Sequence, residues 1–367
     1  MTTNLNDRDL ELRTKLVAVR EVLEANGLGG IRLRGVDGFA WATCGGSSVV
    51  LLAAEEGVAE VLVTPDDAWV LTDVIERDRL VAEELPRGLR MAAFAWQFPE
   101  QREGFVQSQL GGRPLASDRP RGTERSLPEA LGGLRRRLLP PERERYRRLA
   151  LETSEAMTDV LLAARPGWTG FRLAAAGAEA LWRRGIEPTL TLVGDERRLP
   201  LYRHATASSN VLGARAMLVF CGRRHGLFAN LTRFVYFREP TAEERRLHAA
   251  AAQVEAAAFS ASRPGATLGD VYAAISAAYR DAGHPGAEAL HHQGGPCGYL
   301  SRDAVARPGM TLALQLHTAV AWNPSLPGAK LEDTALITEG DLALLTVDPR
   351  WPTFQVEGRP RPDLLVR

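Results

Sequence analysis

Lysine is all but missing from this chain: Lys15 and Lys330 are the only two among 45 basic residues, the rest being arginine. The 45 acidic residues offset them to a formal net charge of zero, which argues against nucleic acid or an anionic membrane as a partner. Cysteine is scarce as well. Cys44, Cys221 and Cys297 are far apart and odd in number, a pattern that excludes a disulfide framework. No uncharged apolar run approaches the roughly 20 residues that cross a bilayer. The opening residues Met1 to Asp7 have neither the basic start nor the apolar stretch of a secretory leader. These absences lead us to expect a cytoplasmic globular protein. With so much Ala, Gly and Pro, the preference for arginine reads as a bias of composition.

What is present indicates two domains, since 367 residues exceed one small core. We place them at 1–137 and 138–367, in an α/β (α+β) fold. In the first, a helix pattern from Asp9 to Glu24 stops at Asn26-Gly27. Strands are predicted at Ile31–Leu33, Ser48–Ala53, Val58–Val63, Trp69–Leu71 and Met91–Trp96, with a helix over Ile75–Leu85. The second opens on Pro140-Pro141-Glu142, which suits a first helical turn. Tyr146, Leu149, Met157, Val160 and Leu161 then recur at helical spacing and make one buried face.

A short repeat bears on the architecture. Arg165-Pro166-Gly167-Trp168-Thr169 and Arg263-Pro264-Gly265-Ala266-Thr267 each follow one helical pattern and precede another. Pro-Gly stops the first helix and Thr caps the next. Two such copies predict two similar αβ halves.

Two stretches of the second domain carry the most chemistry. One runs from Val219-Phe220-Cys221-Gly222 to Asn230-Leu231-Thr232-Arg233. The other runs from Gly309-Met310 through Gln315 to Lys330-Leu331-Glu332-Asp333-Thr334. With Leu290-His291-His292-Gln293-Gly294-Gly295 between them, they resemble the signature of the creatinase, aminopeptidase P and methionine aminopeptidase family, the "pita-bread" fold. Ala40-Trp41-Ala42-Thr43-Cys44-Gly45-Gly46 is similar to a turn in the N-terminal domain of its creatinase and aminopeptidase P branch. The resemblance implies a small creatinase-like α/β domain, then a pita-bread domain with pseudo-twofold αβ halves, and a homodimer.

In that family a His and four carboxylates hold two divalent ions, and a bridging hydroxide attacks the substrate amide. Here the corresponding slots hold Phe220, Asn230, His292, Gln315 and Glu332. One imidazole and one carboxylate are too few to balance two dications, so we expect no dinuclear centre and no cofactor. A weaker alternative is one zinc or manganese ion; if the register slips by one residue, Cys221, His292 and Glu332 make a zinc trio. The Gly-rich stretch His291 to Tyr299 reads as a loop, and Lys330 and Glu332 share a strand face.

The resemblance also assigns roles. His204 falls where the family places a substrate-contacting proton shuttle, His292 orients the ligand, and Glu332 anchors a substrate cation; these are the expected catalytic residues. Asn230, Gln315, Arg233 and His291 are expected to line the substrate site. His317, alternating with apolar neighbours over Met310–Val320, reads as a sheet residue. We expect a small amide-, guanidino- or peptide-like ligand, with metal-independent C–N hydrolysis as the first reading. A non-catalytic binding protein and a single-ion Xaa-Pro peptidase are the alternatives.

Overall fold

The computed structural model describes residues 5–367, which divide into two compact units, one reaching Arg143 and the other Glu144–Arg367. The division falls inside the helix Pro140–Ala163, beyond the 137/138 boundary expected from sequence. Among the described residues no helix is long and apolar enough to cross a membrane.

The first unit is a six-stranded sheet of β1 (Gly30–Gly35), β2 (Glu56–Val63), β3 (Ala68–Asp73), β4 (Arg90–Phe94), β5 (Leu115–Ser117) and β6 (Arg125–Ser126). Its order is β4-β3-β2-β1-β5-β6. The strand expected at Ser48–Ala53 does not form. Val50 and Leu51 are exposed in a turn closed by Ala54 N–H on the Leu51 carbonyl. An apolar run needs a ladder partner to become a strand, and this one has none. Lys15 is buried in this unit, where its ammonium donates to Glu11 Oε1 (2.8 Å), the Trp41 carbonyl (2.7 Å) and Glu142 Oε1 (2.7 Å).

The second unit has two αβ halves. In the first, the helix Gly170–Trp182 accompanies β7 (Glu187–Asp195), β8 (Arg215–Arg224) and β9 (Leu227–Tyr236) in one antiparallel sheet. In the second, the helix Leu268–Asp281 accompanies β10 (Gly294–Cys297), β11 (Ala319–Trp322), β14 (Asp333–Ile337) and β15 (Leu342–Leu344). The short hairpin β12 (Ser325–Leu326) and β13 (Ala329–Lys330) lies between β11 and β14 in sequence.

The sequence repeat is a structural repeat. Thr169 accepts a hydrogen bond from Arg172 N–H, and Thr267 from Asp270 N–H, each capping its helix. The two threonines also make matching isolated bridges, Thr169 to Val211 and Thr267 to Ala313. Each half thus ties its helix start to the chain that leads into a sheet, which is why one short motif recurs.

Two loop-and-strand expectations are corrected here. The Gly-rich segment is not a loop: Gly294–Cys297 is β10, paired with β11. A Cβ at Gly294 would lie 2.1 Å from the Ala321 carbonyl, and one at Gly295 2.1 Å from the Ala304 carbonyl. Close approach of neighbouring backbone, not turn formation, demands those glycines. Conversely, Met310–Val320 is not one strand. His317 sits at φ +67° in a turn before β11, its N–H donating to the Ile337 carbonyl.

Candidate functional site: a cation-rich cavity beside three histidines

The β8–β9 hairpin sets the register of the site. Its two-residue loop, His225-Gly226, has both residues at positive φ (54° and 74°), the conformation of a type I′ turn whose twist matches the flanking strands. Counting back from Arg224↔Leu227 pairs Cys221 with Asn230. Residues directly opposite in an antiparallel pair share a face, and Cys221 with Val219 lines a cavity of about 250 Å³. Phe220 turns the other way: a Cβ at Gly177, in the helix Gly170–Trp182, would lie 2.7 Å from its ring. The tight turn therefore puts Cys221, not Phe220, where the resemblance places a carboxylate.

His204, His292, Ser301, Arg302, Lys330 and Glu332 line the same cavity. Glu332 is buried and fully engaged. One oxygen accepts from Arg302 Nη2 at 2.5 Å; the other accepts from Thr232 Oγ1 at 2.9 Å and lies 3.0 Å from Lys330 Nζ. Burial pushes its carboxyl pKa up, but Lys330 and Arg302 outweigh that and hold it down at about 2. Lys330 and Glu332 do share a face, and both side chains are under 5 % exposed, so this is not a solvated surface pair. Arg302 was not foreseen. A buried lone carboxylate beside a lysine is the only hint of it in the sequence, because Ser301-Arg302-Asp303 carries no motif.

The remaining expected residues scatter. Asn230 is buried beside Ser301, with Nδ2 3.4 Å from the Ser301 carbonyl and Oδ1 without a partner. Arg233, one residue beyond Thr232 and on the opposite face, is buried against Asp333 (2.7 Å) and the Thr346 carbonyl (2.9 Å), away from the cavity. Gln315 is exposed in the turn before β11 and does not line the cavity. Cys221 is a half-buried thiol whose pKa is pushed up to about 12 by desolvation and by Glu332.

Three imidazoles meet at the cavity rim. His204 Nε2 and His291 Nε2 are 2.9 Å apart, and the His291 and His292 rings stack at 4.5 Å. The loop bearing His204 is braced by Arg198, which donates to the Thr206 carbonyl. Gln293 pins the other pair by donating to the His291 carbonyl at 2.6 Å. All three pKa values are lowered. For His291, to about 2, and His204 the causes are burial and then Lys330; for His292, to about 4, burial and then Arg302. These shifts favour the neutral form of each ring.

Donor chemistry tests the fit of two divalent ions in the carboxylate slots. The one carboxylate there already holds two cations, Asn230 is neutral, the Cys221 thiol keeps its proton, and Phe220 and Gln315 are elsewhere. These residues do not fit a pair of dications.

The fold is shared with known peptidases. An Xaa-Pro dipeptidase from Bacillus anthracis superimposes at a TM-score of 0.78 with 16% identity, covering 97% of this chain and 100% of that one. Dipeptidase PepE from Mycobacterium ulcerans gives 0.77 and 19%, covering 98% of each. The N-terminal domain of the FACT complex subunit SPT16 from Cicer arietinum gives 0.72 and 10%, covering 94% of this chain and 97% of that one. At such identities the likeness is one of fold. No curated protein matches the sequence. The model of metallopeptidase family M24, however, matches residues 144–339. Membership of a metallopeptidase family overturns the expectation of a protein without a cofactor. That expectation counted one imidazole, His292, and an imidazole cluster is a metal-ligand set that it did not count. The pita-bread fold and a family match over more than half of its length make this chain a member of metallopeptidase family M24.

Proposed function

We propose that this protein is an Xaa-Pro dipeptidase-like member of its family whose cavity receives a short peptide, or a related amide, that carries a free carboxylate. The observation that supports this is the charge around Glu332: two cations, Lys330 and Arg302, face one anion. Two cations and one anion leave one positive charge in excess, and a low-dielectric cavity magnifies its pull on an anion. A ligand that is only a guanidinium would meet repulsion there. About 250 Å³ suits a molecule of dipeptide size or smaller.

In this reading the ligand's carboxylate completes the pairing of Lys330 and Arg302. In the ion-free protein His204 and His292, on the cavity wall, hydrogen-bond the ligand amide, and His204 passes a proton to or from it. The expected state is a homodimer, which light scattering of the purified chain checks.

Binding without turnover is the second reading. Both oxygens of Glu332 are occupied, so no free carboxylate is at hand to activate water. Thermal shift and turnover on Xaa-Pro dipeptides, each beside its C-terminal amide, test both. Free dipeptides raise Tm and the amides do not, and Lys330→Met weakens the effect about tenfold. Equal binding of dipeptides and amides would sink the proposal; product release decides between its two forms.

A further inference from the structure

We infer that His204, His291 and His292 form a binding site for one divalent transition-metal ion, of the zinc or cobalt class, separate from the carboxylate slots. One ring nitrogen from each lies within 4.8 Å of the others. Tetrahedral zinc with Zn–N bonds near 2.0–2.1 Å needs nitrogens about 3.4 Å apart. His204 and His291 are already closer than that, at 2.9 Å. Small side-chain rotations that part this pair and draw His292 in complete a three-nitrogen face.

The local structure suits an ion better than it suits three bare rings. Two neutral imidazoles in contact satisfy only one donor and one acceptor. The contact between His204 Nε2 and His291 Nε2 leaves His292 outside the pair, stacked on His291. An ion supplies the common partner that the three rings do not give one another. The 3₁₀ turn Ala287–Leu290 ends immediately before His291, in extended backbone at φ −160° and ψ 146°. Gln293 then holds the carbonyls of Glu288 and His291, fixing both neighbouring histidines on one short segment.

The donor set selects the ion. Three imidazoles without a carboxylate favour zinc, cobalt, nickel or copper over magnesium, calcium or manganese. Lys330 and Arg302 oppose any dication nearby, and Glu332 offsets one of those two charges. Coordination bonds to three nitrogens outweigh a single screened repulsion. His204 and His292 line the cavity, so the fourth coordination position is left to water or ligand, the open arrangement of three-histidine zinc sites.

The experiment titrates cobalt(II), then zinc(II), into metal-stripped full-length protein. It reads the visible absorption of cobalt, the metal-to-protein ratio and the shift in Tm. One ion per chain is expected, with the strong visible bands of four-coordinate cobalt. His291→Ala and His291→Gln are each expected to weaken the ion by roughly a hundredfold or more, and Cys221→Ser to leave its affinity unchanged. The glutamine variant keeps much of the side chain's volume, so a failure of the alanine variant to fold does not decide the matter. Two ions per chain, or an affinity lost in Cys221→Ser and kept in both His291 variants, would overturn the site. Lys330→Met separates this inference from the peptide reading, since it weakens dipeptide binding without removing the ion.

Discussion

Glu332 and Asp333 are neighbours in sequence, yet they face opposite sides of the sheet and do different things. Both carboxylates are buried and both touch two cations. On the cavity side, Glu332 meets Lys330 and Arg302 and leaves one positive charge unmatched. Behind it, Asp333 meets Arg233 at 2.7 Å and Arg361 at 2.5 Å, and Glu255 adds a second anion on Arg361. There two acids meet two arginines, and burial pushes the Glu255 carboxyl up to about 8 despite Arg361. A sealed cluster can serve only the fold, whereas one that lines a cavity has something left to offer a ligand. Strand alternation separates the two roles by a single residue.

The largest expected effect comes from breaking the closed side. Arg361→Met leaves Asp333 and Glu255 buried around an apolar side chain, and removing one partner of a buried ion pair costs about 3–5 kcal/mol. Denaturant unfolding of the full chain measures it, and a cost below about 1 kcal/mol would show the cluster is not sealed.

Acid attacks the same side next. His248 is buried with Nε2 2.9 Å from the Pro362 carbonyl, and its pKa is lowered to about 4 by burial, despite that carbonyl. The unfolded imidazole titrates near 6.5, so between 6.5 and 4 the unfolded chain binds the extra proton. The stability from this group is complete above 6.5, falls as pH drops toward 4, and changes no further below it. About 2.5 pKa units correspond to roughly 3 kcal/mol. His248→Gln flattens that part of the stability profile, and an unchanged slope rules the group out.

The open side is softer. Glu332→Gln strands Lys330 and Arg302, but solvent reaches the cavity and relieves them, so a loss of about 1–3 kcal/mol is expected. Adding Lys330→Met recovers part of it, which a double-mutant cycle reads as coupling. Smallest of all, Gln315→Ala stays within about 0.5 kcal/mol and leaves dipeptide binding unchanged, because Gln315 is an exposed turn residue. A binding loss in that variant would draw the turn into the site.

The sequence carried the architecture because its signals are local and periodic. Pro-Gly stops, threonine caps and the helical stripe of Tyr146, Leu149 and Met157 are each written within a few residues. The cavity was only partly legible. His204, His292 and Glu332 do line it, but whether Phe220 or Cys221 faces it depended on a two-residue turn at His225-Gly226 that shifts every partner on the strand. Positive φ at a histidine is hard to read from composition, although the following glycine hints at it. Arg302 was invisible because its role arises from a contact thirty residues away. The resemblance put all three histidines at one site, but not His204 in contact with His291, since His204 reaches the other two only through the fold.

Thr232 joins the two half-sheets where Glu332 sits. Its N–H donates to the Glu332 carbonyl at 3.0 Å while its hydroxyl donates to the same residue's side chain at 2.9 Å. The seam between the halves and the floor of the cavity are thus one amino acid. Any guest that draws Glu332 away from its cations must also tug on that stitch, so occupancy should register as a change in how firmly the two halves hold together, even at amides far from the guest.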